Sequence, residues 1–218
     1  MQYVNRKKSL SLAEKEQHDL ERQQYNEALR LKNNRFGIAL FQLSWIMVFV
    51  SLIIVYWQMG YQPGWRPTAE QAPHVLMPTL ATIALILSGW LTRRALKTVE
   101  STHPDAATSQ QPSFFRDWLL AIGLGAFFFV VMMTQFFAVP TGAEDGEQFG
   151  LIYRVMIGYH AIHAIVIGVM MLRIGYLGRD GRFHQDNSWS VEGSAKLWYF
   201  VIGAWLMFYA VLYLPFLR

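Results

Sequence analysis

Five apolar runs, about Phe36–Trp57, Val75–Leu96, Phe114–Val139, Leu151–Leu177 and Leu197–Leu217, leave this sequence few ways to fold. A hydrocarbon core of ~30 Å is crossed by roughly 20 residues of helix, and every run reaches that length. The segments between them are polar or rich in proline and glycine: QMGYQPGWRPTAEQAP, KTVESTHPDAATSQQPS, PTGAEDGEQFG and GRDGRFHQDNSWSVEGS. Charged residues make up only 16% of the chain, against roughly 25% in soluble domains, and they crowd into the first segment. The pattern predicts an all-α polytopic membrane protein. A bundle of five transmembrane helices over 35–218 follows a charged helical segment over 1–34. Pro78 falls just inside the second run, where a first-turn proline loses little. No internal repeat is visible.

The sequence has no cysteine. That excludes disulfides, thiolate zinc sites, cysteine-ligated iron–sulfur clusters, a thiolate-bridged copper centre and covalent c-type haem. The net charge of +4 does not point to nucleic acid as a partner. The basic residues flank the apolar runs, where a membrane surface accounts for them. No apolar core suited to a cleavable signal peptide precedes the first run.

Lys and Arg bias sets the expected orientation. Arg6, Lys7, Lys8, Lys15, Arg22, Arg30, Lys32 and Arg35 precede or open the first run. Arg93, Arg94, Lys97 and Arg116 flank the second connection, and Arg173, Arg179, Arg182 and Lys196 flank the fourth. The first connection carries Arg66, and the third carries Glu144, Asp145 and Glu147. This predicts a multi-pass protein of the inner (cytoplasmic) membrane, N-terminus in the cytoplasm and C-terminus outside. The stretch LAEKEQHDLERQQYNEALRLKN combines strong helix formers with opposite charges at helical spacing, and so predicts a cytoplasmic helix leading into the first span.

Ionisable groups inside a span are where function is sought first. His160 and His163, in GYHAIHAIVIG, share one face of the fourth span. From one helix they would approach a haem iron from the same side, and no other histidine lies mid-span to oppose them. Hydrogen bonding, within the fold or to lipid head groups, is the reading taken, with no cofactor and no metal on this chain. No Asp or Glu lies deep in a run: Asp117 opens the third and Glu192 lies near the start of the fifth. A carboxylate at Glu192 suits the positive end of a helix dipole. Small residues (Gly123, Gly125, Ala126, Gly203, Ala204) allow close helix approach. Trp57, Trp65, Trp90, Trp118, Trp189 and Trp198 fall near the expected interfaces.

Four motifs, in order, resemble subunit III of the haem–copper oxidases, the cytochrome c and ubiquinol oxidase family. RFGIALFQLSW resembles R-x-G-x-x-L-F-x-x-S-E, with Arg35, Gly37, Leu40, Phe41 and Ser44 in place. PTLATIALILSG keeps Pro78, Thr82, Ser88 and Gly89 of P-L-L-N-T-x-x-L-L-x-S-G. GYHAIHAIVIG resembles G-F-H-G-x-H-V-I-x-G. VEGSAKLWYFVIGAW resembles F-E-A-A-x-x-x-W-H-F-V-D-x-x-W, with Glu192, Trp198, Phe200, Val201 and Trp205 matching. The length fits the five-helix form; the third span matches only loosely. Trp45 stands where the family has a buried glutamate, Ala81 replaces its asparagine, Tyr199 its histidine and Ile202 its aspartate. Each change makes the membrane interior less polar or less ionisable.

The resemblance implies a non-catalytic membrane subunit of a terminal oxidase that reduces oxygen to water. It would pack against oxidase subunits I and II, which carry the haem and copper, and hold phospholipids in a cleft. Arg35, His163 and Tyr199 are the lipid-binding candidates it implies, with His160, Glu192, Trp198 and Trp205 as structural motif residues. Competing readings are an accessory subunit of nitric oxide reductase and a di-haem b-type membrane anchor of a quinone-linked oxidoreductase. A transporter ranks last, because charged midplane groups are read as absent.

Overall fold

The computed structural model describes residues 12–65, 72–139 and 147–216. Arg6, Lys7 and Lys8, Arg66 in the first connection and Glu144 and Asp145 in the third lie outside the described residues. Five α-helices carry the chain: α1 (Leu12–Met59), α2 (Leu76–Ser101), α3 (Ala107–Ala138), α4 (Glu147–Gly178) and α5 (Trp189–Leu212). All five are long and apolar enough to cross a membrane, with best-window mean hydropathies of 2.5, 1.3, 2.1, 2.0 and 1.8. Short 3₁₀ turns lie at Pro104–Ala106, Gln185–Asn187 and Leu214–Phe216.

The chain divides into two compact units, Met1–Leu40 and Phe41–Arg218, so the division falls inside α1. In the first unit the described residues form one helix with almost every side chain exposed. It is built from good helix formers, and Gln17 donates to Glu21 one turn on (3.4 Å). The second unit is a closed bundle. α2 packs on α3, α3 on α4, α4 on α5, and α5 returns to α2. The remainder of α1 joins through Phe49, which is fully buried and meets Tyr159, His163, Phe200 and Phe208 ring to ring.

Several boundaries differ from the sequence reading: α3 starts at Ala107 and α4 at Glu147, ahead of Phe114 and Leu151. α5 starts at Trp189, so 189–196 belong to the helix and not to the fourth connection. Val191, Gly193, Ser194 and Ala195 are buried there, and Lys196 pairs with Glu192 across one turn (2.8 Å). α2 likewise continues to Ser101, past the last apolar residues of its run.

The α2–α5 seam is polar at its heart. Thr82 and Ser88 are buried and donate back to carbonyls of their own helix, Pro78 (2.7 Å) and Leu85 (2.7 Å). Their oxygens stay available as acceptors, and α5 uses both. The Trp205 indole N–H donates to Thr82 Oγ1 (2.9 Å), and the Trp198 indole N–H to Ser88 Oγ (2.9 Å). Thr79 and Tyr209 add a hydroxyl–hydroxyl bond of 2.7 Å. Three links along one face fix the register of two antiparallel helices. Inside a bilayer apolar side chains contribute by packing alone, because lipid is as apolar as they are.

Candidate functional site

His163 sits on α4 with its ring against Trp45 (centroids 4.3 Å apart, edge-on), Tyr159 (4.3 Å) and Phe49 (5.4 Å). Trp45 therefore covers the imidazole with an aromatic surface at the position where the resembling family has a carboxylate. The Nδ1 atom lies 2.6 Å from the Tyr159 carbonyl. A carbonyl only accepts, so Nδ1 carries the proton, and in the neutral ring Nε2 is left as an acceptor. Donation from Nε2 to a phosphate oxygen then requires the doubly protonated imidazole.

His160 lies one turn away in different company. It is 2% exposed, and neither ring nitrogen has a hydrogen-bond partner among the described residues. Trp205 (5.2 Å between centroids), Phe128 (5.8 Å) and Phe49 (6.2 Å) surround it. The two histidines thus share a helix face but not a common pair of ligands. Among the described residues, no group of three or more His, Asp or Glu side chains comes together as a metal site.

The Tyr199 hydroxyl, on α5, is buried without a hydrogen-bond partner among the described residues. Ile202, where the family has an aspartate, covers Gly89: a Cβ at Gly89 would lie 2.7 Å from Ile202 Cδ1. Ala81, where the family has asparagine, is fully buried. Arg35 is exposed on α1, within the first unit. Glu192 lies in the first turn of α5 with the Lys196 ammonium on its carboxylate.

Two charged positions emerge that the sequence reading passed over or left without partners. Asp117 is nearly buried and holds α2 to α3: Arg94 Nε lies 3.0 Å from one carboxylate oxygen and Arg116 Nε 3.3 Å from the other. Both arginines remain well exposed (46% and 63%), so solvent weakens the pairing, and the link is best described as positional. Arg154, an arginine inside the fourth run, went unremarked although its charge is plain in the sequence. It donates from Nη2 to the Val139 carbonyl (2.8 Å), and its guanidinium stands 5.8 Å from the Phe136 ring. A cation at the last carbonyls of α3 satisfies groups that a helix end leaves open.

The tryptophans divide. Trp57 and Trp90 are more than half exposed, as an interfacial belt requires, whereas Trp118 and Trp198 are buried and hydrogen-bonded within the bundle. The polar atoms of the interior therefore chiefly join helices to one another.

A family model described as cytochrome c oxidase subunit III matches residues 21–215. Among curated proteins, cytochrome c oxidase subunit 3 of Papio hamadryas is 25% identical over 189 residues, 84% of this chain and 69% of that protein. The proteins of the same name from Balaenoptera musculus and Tragelaphus oryx are each 25% identical over 191 residues, with the same coverage.

Proposed function

This chain belongs to the cytochrome c oxidase subunit III family, and from that premise we propose that it is a non-catalytic subunit supporting assembly, stability and lipid binding of the catalytic subunit. The observation that carries the reading is the match itself, which extends over 21–215 and so takes in all five membrane helices. Its partners are oxidase subunits I and II, which hold the haem and copper, together with membrane phospholipids. Two features support a role outside the chemistry. Trp45 and Ile202 fill with apolar side chains two positions where the family resemblance has carboxylates. The α1 span is only 6% buried within the chain, leaving a long apolar surface for lipid or a neighbouring subunit.

Arg35, His163 and Tyr199 are proposed as phospholipid contacts. Arg35 offers the planar fork that suits a phosphate, His163 offers a donor when protonated, and Tyr199 offers an O–H. His160, Glu192, Trp198 and Trp205 serve the fold. Purification through a tag on this chain should bring down two larger chains with haem and copper, and substituting Arg35 and His163 by leucine should lower retained phospholipid and loosen that association. A Soret band that stays with the isolated chain and vanishes in His163→Ala would refute the reading. So would an immediate loss of turnover in the leucine variants with lipid content and subunits intact.

The proposed topology places the N-terminal segment and the connections around 97–114 and 178–195 in the cytoplasm of a cell whose inner membrane holds the protein. Because the chain has no cysteine, single cysteines report on it cleanly. A cysteine at His103, exposed between α2 and α3, should resist an impermeant maleimide in intact cells and react after permeabilisation. Reaction before permeabilisation would invert the topology.

A further inference from the structure

Between α3 and α4 runs a groove of about 240 Å³, floored by Trp118 and Gly175 and walled by Leu119, Ile122 and Leu172, with Phe115, Tyr176 and Arg179 at its mouth. On α3 the lining residues fall within eight positions (115–122), and on α4 with the residue that follows it within another eight (172–179). At 1.5 Å per residue the groove is about 10 Å long, a third of a ~30 Å hydrocarbon core. Its mouth lies at the C-terminal end of α4, since α4 ends at Gly178 and Arg179 is the next residue.

The floor offers nothing polar. The Trp118 indole N–H is committed to the Met171 carbonyl (2.8 Å), and Gly175 has no side chain because a Cβ there would press on Trp118 Cδ1 at 3.2 Å. The mouth is the reverse. The Arg179 guanidinium stands 5.4 Å from the Phe115 ring and 5.8 Å from the Tyr176 ring, braced by both faces. No carboxylate pairs with it among the described residues, because the adjacent Asp180 is taken by Arg182 (3.3 Å). The C-terminal end of α4 contributes roughly half a negative charge, which reduces the cation's attraction for an anion without cancelling it.

We propose that this groove holds one acyl chain of a phospholipid whose phosphate is bound by Arg179, with the Tyr176 hydroxyl as second donor. The apolar floor suits hydrocarbon and rejects a hydrated head group. The braced guanidinium presents its outer N–H groups to a phosphate in fork geometry. The site is separate from Arg35, His163 and Tyr199, and it stands whether or not the oxidase role does.

The test is a phosphatidylglycerol titration of the full-length chain in detergent, read by native mass spectrometry. Arg179→Gln should bind at least about ten-fold more weakly, the loss of one charge-assisted contact. Leu172→Trp, which fills the groove but keeps the cation, should weaken binding as well. Lys97→Gln, an exposed cation on α2 outside the groove's lining, should match the unsubstituted protein and confirms folding. Binding by Arg179→Gln within about two-fold of the unsubstituted protein would overturn the proposal. Full competition by glycerol 3-phosphate would overturn it in favour of a soluble phosphate. Unchanged lipid binding with loss of a co-purifying subunit would assign the groove to a partner's helix instead.

Discussion

Trp205→Ala is expected to be the most damaging single substitution in the bundle. The side chain is fully buried and meets Phe128 (4.8 Å between centroids), His160 (5.2 Å) and Tyr213 (6.1 Å), while its indole N–H holds Thr82. Replacing a buried tryptophan by alanine costs about 3–5 kcal/mol in a water-soluble core, part of it from transfer to water and part from the cavity left behind. In a bilayer the transfer part falls away, because the alternative surroundings are also apolar. The cavity and the lost link to α2 remain, so about 2–4 kcal/mol is expected. Trp205→Phe separates these two contributions. It keeps much of the ring and deletes the donor. Thr82 is not stranded by that change, since its hydroxyl already donates to the Pro78 carbonyl. The phenylalanine variant should therefore lose only about 0.5–1.5 kcal/mol. Equilibrium unfolding of the purified chain in mixed micelles measures both. Equal midpoints for the two variants would mean that the ring packs far more loosely than its burial indicates.

The same residues show how far the sequence could be read. The spans were legible because a membrane helix declares itself by length and lack of charge, and each of the five helices covers most of its expected run. Thr82, Ser88, Trp198 and Trp205 were also visible, as matches to motifs in the second and fifth spans. Their pairing was not. Which hydroxyl receives which indole depends on the relative register of α2 and α5, and nothing in either segment alone encodes it. Trp118 and Trp198 misled for a related reason: a tryptophan near the end of an apolar run looks the same whether its ring faces lipid or a neighbouring helix. The start of α5 was half legible: Glu192 suited a helix start, but 189–195 were placed in the connection, and the pairing of Lys196 with the carboxylate was not read. Arg154 is a different kind of omission. Its charge inside an apolar run was an available signal, although its task, closing the end of α3, is set by tertiary contact.

Glycine gives the sharpest case, because two residues of one motif should respond to the same substitution with opposite sign. In GLGAFFF the sequence offers Gly123 and Gly125 as equal small-residue contacts. A Cβ at Gly123 would meet nothing within 4 Å, whereas at Gly125 it would fall 2.6 Å from Trp198 Cζ2 and 2.8 Å from Cη2. A flexible neighbour would swing aside at little cost. Trp198 cannot, because it is 4% exposed and its indole is tied to Ser88. Gly125→Ala must either separate α3 from α5 or break that hydrogen bond, and overpacking of this kind costs about 1–3 kcal/mol. Intrinsic helix propensity acts in the other direction, favouring alanine over glycine by about 1 kcal/mol. At Gly123 only that gain applies, so Gly123→Ala should be neutral to stabilising. At Gly125 the clash should win, leaving the variant up to about 2 kcal/mol less stable than its parent. Adding Trp198→Phe to Gly125→Ala should recover part of the loss, since the smaller ring vacates the space the methyl needs, and the two sites should be strongly non-additive. Mixed-micelle unfolding of the four proteins decides the matter. A Gly125→Ala midpoint at or above that of Gly123→Ala would show that α3 and α5 do not approach this closely in the membrane.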